Sequence, residues 1–255
     1  MRKIYIVPNI VTTANMFCGF FSVLASIRGD FQTASWSILA AAVFDMLDGR
    51  IARLARATSQ FGVEYDSLSD LISFGFAPAI LLYQWALDPF GRLGGVAAFL
   101  YLACAALRLA RFNVTSSVLP KAYFQGVASP IAAGTIATFV IFNQATGLPN
   151  AWEPSVFSRE NMSLILAFGL AALMVSTLRF PSFKELNWRS RASFGYLMIG
   201  VLAMVFVAIR PEITLFLLCF GYVIGGLFMN LYRLFPSKAR RAEIERAEAE
   251  EEASH

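Results

Sequence analysis

The feature that most limits what this chain can fold into is its run of apolar segments of about 20 residues, long enough to cross a hydrocarbon core of roughly 30 Å as helices. Eight such segments run approximately over 10–27, 34–55, 65–85, 94–112, 125–142, 161–178, 193–209 and 212–231. Hydrophobic residues make up 57% of the chain and charged residues 15%. A soluble domain carries about a quarter of its residues charged. The expected class is therefore an all-α integral membrane protein with about eight transmembrane helices. One catalytic membrane domain is expected over 1–235, followed by a charged tail, 236–255, that is frayed helix or disordered chain.

The basic residues orient it. With the N-terminus inside, seventeen Lys and Arg residues fall on the cytoplasmic side and only Arg28, Arg92, Arg159 and Arg210 outside. Both termini are then cytoplasmic. The net charge of +4 reads as a basic cytoplasmic face in contact with anionic membrane lipids, with no nucleic-acid partner. Cys18, Cys104 and Cys219 sit within apolar spans and read as small core residues. The basic head and apolar run at the start resemble a signal peptide, but further spans follow, so the first helix is expected to be retained.

Against this background the acidic residues stand out. Four of the six aspartates fall within 45–70, as Asp45, Asp48, Asp66 and Asp70. Spacings of three and four place each pair on one face of a helix. A carboxylate at a membrane helix centre costs about 2.5–3.5 kcal/mol on insertion scales, so four of them call for a partner. A solvated helix end lowers that cost without explaining why all four are the short Asp. Hard divalent cations do explain it, because Mg²⁺ and Mn²⁺ take oxygen ligands and Asp holds its carboxylate close to a rigid backbone. Four carboxylates balance two dications, and a two-metal site clamps a phosphate or pyrophosphate for in-line displacement. Gly49 and Gly62 permit close approach beside them.

The pattern Asp45-x-x-Asp48-Gly49-x-x-Ala52-Arg53, eight residues, Gly62-x-x-x-Asp66-x-x-x-Asp70 resembles in full the signature of the CDP-alcohol phosphotransferases, a membrane family that makes phospholipids. The resemblance implies a six-helix catalytic core, here with two further C-terminal helices, and a homodimer. It implies that Asp45, Asp48, Asp66 and Asp70 hold two ions, Mg²⁺ or Mn²⁺, with Asp70 also the base for the acceptor hydroxyl. Asp48, Gly49, Ala52, Arg53 and Gly62 would receive the cytidine-diphosphate donor. The segments PNIVTTANMFCG, DSLSDLISFGFAPA, ALRLARFNV and LMVSTLRFPSFK are similar to the phosphatidylserine synthases of that family. That likeness implies CDP-diacylglycerol as donor, L-serine as acceptor, and a site on the cytoplasmic face of the inner membrane. One departure is Gly126-Val127-Ala128, where Gly-Leu-Pro is expected.

For the acceptor, Arg108 and Arg111, followed by Asn113 and by Ser129 on the next span, are candidates, since a guanidinium pair suits a carboxylate or phosphate. Snorkelling arginines that anchor the helix end are the competing reading. Glycerol 3-phosphate or inositol phosphate would want basic residues as well, so charge does not choose among alcohols. A cation or phosphate transporter is the rival from another class. It would spread its acids near the midplane over several spans, whereas these cluster at one edge of two neighbours.

Overall fold

A computed structural model describes residues 6–54, 59–115, 124–147, 158–180, 198, 206 and 208–234. These form seven helices: α1 (Ile6–Ile27), α2 (Phe31–Leu54), a rod α3 (Gln60–Phe90), α4 (Arg92–Thr115), α5 (Ser129–Thr146), α6 (Arg159–Val175) and α7 (Pro211–Leu234). Two-residue strands β1 (Phe124–Gln125) and β2 (Arg179–Phe180) pair antiparallel, Phe124 opposite Phe180 and Gln125 opposite Arg179. The architecture is all-helical. Most of the seventh expected span and the whole tail lie outside the described residues.

Four of the helices are long and apolar enough to cross a membrane: Asn9–Ile27, Gln60–Phe90, Arg92–Val114 and Pro211–Tyr232. The others fall short of the expectation for identifiable reasons. Helix α2 has the length but spends its last ten residues on Asp45, Asp48, Arg50 and Arg53, α5 has the length but carries Pro130, Asn143 and Gln144, and α6 stops at 17 residues. The rod α3 errs the other way. Its 31 residues would extend about 46 Å at 1.5 Å per residue, well beyond the hydrocarbon thickness. The excess lies in its polar first part, Gln60–Asp70, so the helix starts earlier than the expected residue 65.

Helix ends follow local chemistry. Asp30 accepts a hydrogen bond from the Thr33 amide at 3.1 Å and caps α2, so hydrogen bonds from Thr33 hold its carboxyl below the usual range. Ser59 and Ser158 cap α3 and α6 in the same way. The fifth span is expected from residue 125 but α5 begins at Ser129, because Gly126 has φ +76° and Ala128 is extended ahead of Pro130. A Cβ on Gly126 would stand 2.5 Å from the Met174 carbonyl oxygen, so this crossing of the α5 entry over the end of α6 requires glycine.

Within α3 the backbone widens to π geometry over Leu71–Phe76 and again over Tyr83–Leu87. Such widening leaves carbonyls poorly served by the helix ladder. The fully buried Tyr101 of α4 donates its hydroxyl to the Phe74 carbonyl at 3.0 Å. At the opposite end of the bundle from Asp66 and Asp70, Trp85, Phe139, Phe142 and Phe216 form an aromatic cluster across α3, α5 and α7, Trp85 edge-on to Phe139 and Phe142 stacked on Phe216, and Arg159 lies 5.6 Å over the Trp85 ring.

Tyr101→Phe leaves the Phe74 carbonyl buried and unpaired. It should lower stability by about 1–3 kcal/mol, read as an earlier thermal transition of the detergent-solubilised protein.

Candidate metal centre

Successive helices run in alternating directions, which carries one end of each of the first six to a common edge. The end of α2, the start of α3, the first half of α1, the end of α4, the start of α5 and the end of α6 all meet there. The contacts that prove it join Asn15 to Asp70, Ser67 to Asn113, Arg108 to Ser129 and Arg111 to Val175.

At this edge Asp45, Asp48 and Asp66 each offer a carboxylate oxygen, and the three oxygens lie within 4.8 Å of one another. The i,i+3 pair on α2 supplies two and α3 supplies the third. Asp48 is buried at 4% exposure, and Asp45 and Asp66 are half-buried. Among the described residues no Lys or Arg forms an ion pair with any of them. The buried oxygens Asp48 Oδ2 and Asp66 Oδ1 accept no hydrogen bond. Three carboxylates this close repel one another, and buried acceptors without partners are costly. A hard dication removes both penalties at once, so the donor set fits Mg²⁺ or Mn²⁺.

Asp70 stands outside that set of three. It lies one turn beyond Asp66 on α3, where Asn15 Nδ2 donates to its Oδ1 at 3.1 Å. Thr12, also on α1, is the neighbouring buried polar residue one turn earlier. The sequence reading assigns neither α1 residue to a site. A signal is nevertheless present: Thr12, Asn15, Gly19, Ser22 and Ser26 recur at intervals of three and four along an otherwise apolar helix, and all five are buried. Such a stripe marks a face that meets polar or closely packed neighbours.

The stripe is fastened to α3. Ser69 donates to the Thr12 carbonyl and Ser73 to the Asn15 carbonyl, each at 3.0 Å. A Cβ on Gly19 would come 2.7 Å from Ser73 Cα, so the two helices touch backbone to backbone. The residues expected around the donor occupy the same edge. Gly49, Ala52 and Arg53 continue α2 beyond Asp48, the side chains of the last two lying outside the described residues. Gly62 sits in the first turn of α3, donating its amide to Ser59 Oγ at 3.0 Å.

The residues expected around the acceptor divide by environment. Arg108 is buried at 8% exposure, donates to the buried Ser129 hydroxyl at 2.9 Å and leaves Nε without a partner. It lies within the field of the Asp70 carboxylate. Arg111 instead donates to the Met174, Val175 and Ser176 carbonyls at 3.0–3.3 Å, closing the C-terminus of α6, where a cation complements the helix dipole. Asn113 donates to Ser67 Oγ at 2.9 Å and ties the end of α4 to α3.

Asp48→Asn or Asp66→Asn removes one charge and one ligand oxygen. Each should weaken Mn²⁺ binding at least about tenfold, measured by titration of the Mn²⁺ paramagnetic resonance signal.

Comparison with known proteins agrees with this geometry. The CDP-alcohol phosphatidyltransferase model matches residues 5–176, which takes in α1 to α6 and every residue at the shared edge. The chain is 34% identical over 232 residues to a CDP-diacylglycerol–serine O-phosphatidyltransferase of Helicobacter pylori, covering 91% of this chain and 94% of the relative. A Bacillus subtilis protein of the same name is 32% identical over 179 residues, covering 70% of this chain and 92% of that one. An archaetidylserine synthase of Methanothermobacter thermautotrophicus is 36% identical over 176 residues, covering 68% and 69%. With its aspartate signature assembled at one helical edge and the family model spanning two thirds of its length, the chain belongs to the CDP-alcohol phosphatidyltransferase family.

Proposed function

We propose that the protein transfers the phosphatidyl group of CDP-diacylglycerol to the hydroxyl of L-serine, forming phosphatidylserine and CMP. The observation that carries this is the convergence of Asp45, Asp48 and Asp66 within 4.8 Å, with two buried oxygens unpartnered, in a chain whose relatives bear that activity's name.

Asp45, Asp48, Asp66 and Asp70 would hold two ions, Mg²⁺ or Mn²⁺. Bound there, they would neutralise the pyrophosphate and the charge that develops on the attacking and departing oxygens. Asp48, Gly49, Ala52, Arg53 and Gly62 receive the cytidine-diphosphate end of the donor. Asp70 takes the proton of the serine hydroxyl. The serine oxygen then attacks the phosphorus that carries the diacylglycerol, the bond from that phosphorus to the CMP oxygen breaks, and CMP departs. Arg108 is the residue suited to the serine carboxylate. It is buried, has an unused donor at Nε and sits beside Ser129 within the field of Asp70. Arg111 and Asn113 shape the same pocket by holding α4 against α6 and α3.

The reading places eight spans in the inner membrane, both termini in the cytoplasm and the catalytic edge facing it. The basic residues support that orientation. Topology supports the span count: α6 ends at the catalytic edge, whereas α7 starts at the far edge, where Phe216 stacks on Phe142, so both helices are entered from the side opposite the catalytic edge. A catalytic edge at the membrane surface lets a water-soluble alcohol meet a lipid-bound donor. A homodimer belongs to the same reading.

Purified protein given CDP-diacylglycerol and Mn²⁺ or Mg²⁺ should release CMP with serine, and not with glycerol 3-phosphate or inositol phosphate. Release only with another alcohol overturns the acceptor, and release with none overturns the reaction. Asp70→Asn should lower the turnover number by about 10²-fold or more, the usual contribution of a positioned base.

A further inference from the structure

We propose that Asn15 on α1 is a positioning residue of the catalytic edge, fixing the orientation of the Asp70 carboxylate. The inference rests on the reaction proposed above and concerns how its carboxylates are aimed.

A carboxylate on a helix can rotate about two side-chain bonds, and its two oxygens are equivalent until something distinguishes them. Asn15 makes that distinction for Asp70. Its amide nitrogen donates to Oδ1 at 3.1 Å, which leaves Oδ2 as the oxygen presented to the reacting hydroxyl. Asn15 is itself fully buried and cannot wander, because its backbone carbonyl accepts from Ser73 Oγ at 3.0 Å and the neighbouring Gly19 packs against the Ser73 backbone. One turn earlier on α1 the backbone is held by Ser69, which donates to the Thr12 carbonyl at 3.0 Å.

Asn15 also keeps a buried, unpartnered Oδ1 beside Asp70. Partners that orient metal-ligating or reacting carboxylates commonly carry 10–100-fold of metal affinity or activity.

Asn15→Leu and Asn15→Ala are compared with the unaltered protein by CMP release with serine, by Mn²⁺ titration and by thermal transition. Ser26→Ala serves as the comparator, a buried hydroxyl on the same stripe of α1 whose hydrogen bond, to the Ser22 carbonyl, touches no carboxylate. Both Asn15 variants should lower kcat about 10–100-fold and weaken Mn²⁺ binding about tenfold while KM for CDP-diacylglycerol stays within about twofold, with Ser26→Ala keeping near-normal kcat. Unaltered kcat in both Asn15 variants overturns the assignment. Equal loss of kcat in Ser26→Ala overturns the positioning role and leaves α1 a packing helix. If the unaltered protein releases no CMP with serine, the reaction has failed, while the Mn²⁺ arm still decides the role of Asn15.

Discussion

Two helices that each carry a pair of carboxylates on one face repel each other at the end they share, and everything else at the catalytic edge depends on holding them together. The structure meets that demand with a third helix. Along its buried stripe α1 offers Asn15 to Asp70, and its Thr12 and Asn15 carbonyls accept from Ser69 and Ser73 of α3. Hydrogen bonds between small polar side chains and helix carbonyls suit a membrane interior. They need no net charge and let backbones approach closely, as Gly19 and Ser73 do.

The remaining helices extend this arrangement outward. The π-widened stretch of α3 follows directly after Asp70, and Tyr101 supports it from α4. Departures from α geometry recur where a helix must aim side chains at a site, and here the departure separates the acidic part of the rod from its apolar part. The end of α4 then distributes its polar residues among three neighbours: Arg108 to α5, Arg111 to α6 and Asn113 to α3. A cationic rim is thereby fixed around an anionic centre, the charge layout that a phosphate-bearing donor and a carboxylate-bearing acceptor require together.

The acidic centre is legible in the amino-acid sequence because it is local. Spacings of three and four put two carboxylates on one face whatever the rest of the chain does. Membrane class is legible for the same reason, since apolar length is a one-dimensional property. Helix ends are less so. Residues 125–128 read as the apolar start of a span, yet Gly126 turns there, because the entry to α5 must pass over the Met174 carbonyl, a neighbour 48 residues away. The arginines are legible only as a group. Arg108 and Arg111, three apart on one helix, look like a pair, and contacts with Ser129 and with the end of α6 give them different tasks.

By itself the sequence determined the chemistry on offer: four short carboxylates in two helical pairs, set in segments of membrane-spanning length, with basic residues gathered toward one face. Only the tertiary structure decided which side chains aim those carboxylates. Asn15 lies 55 residues from Asp70, and it matters because α1 packs against both α2 and α3. The physical reason is that a pair spacing follows from the pitch of one helix, whereas the orientation of a carboxylate depends on a donor supplied by another.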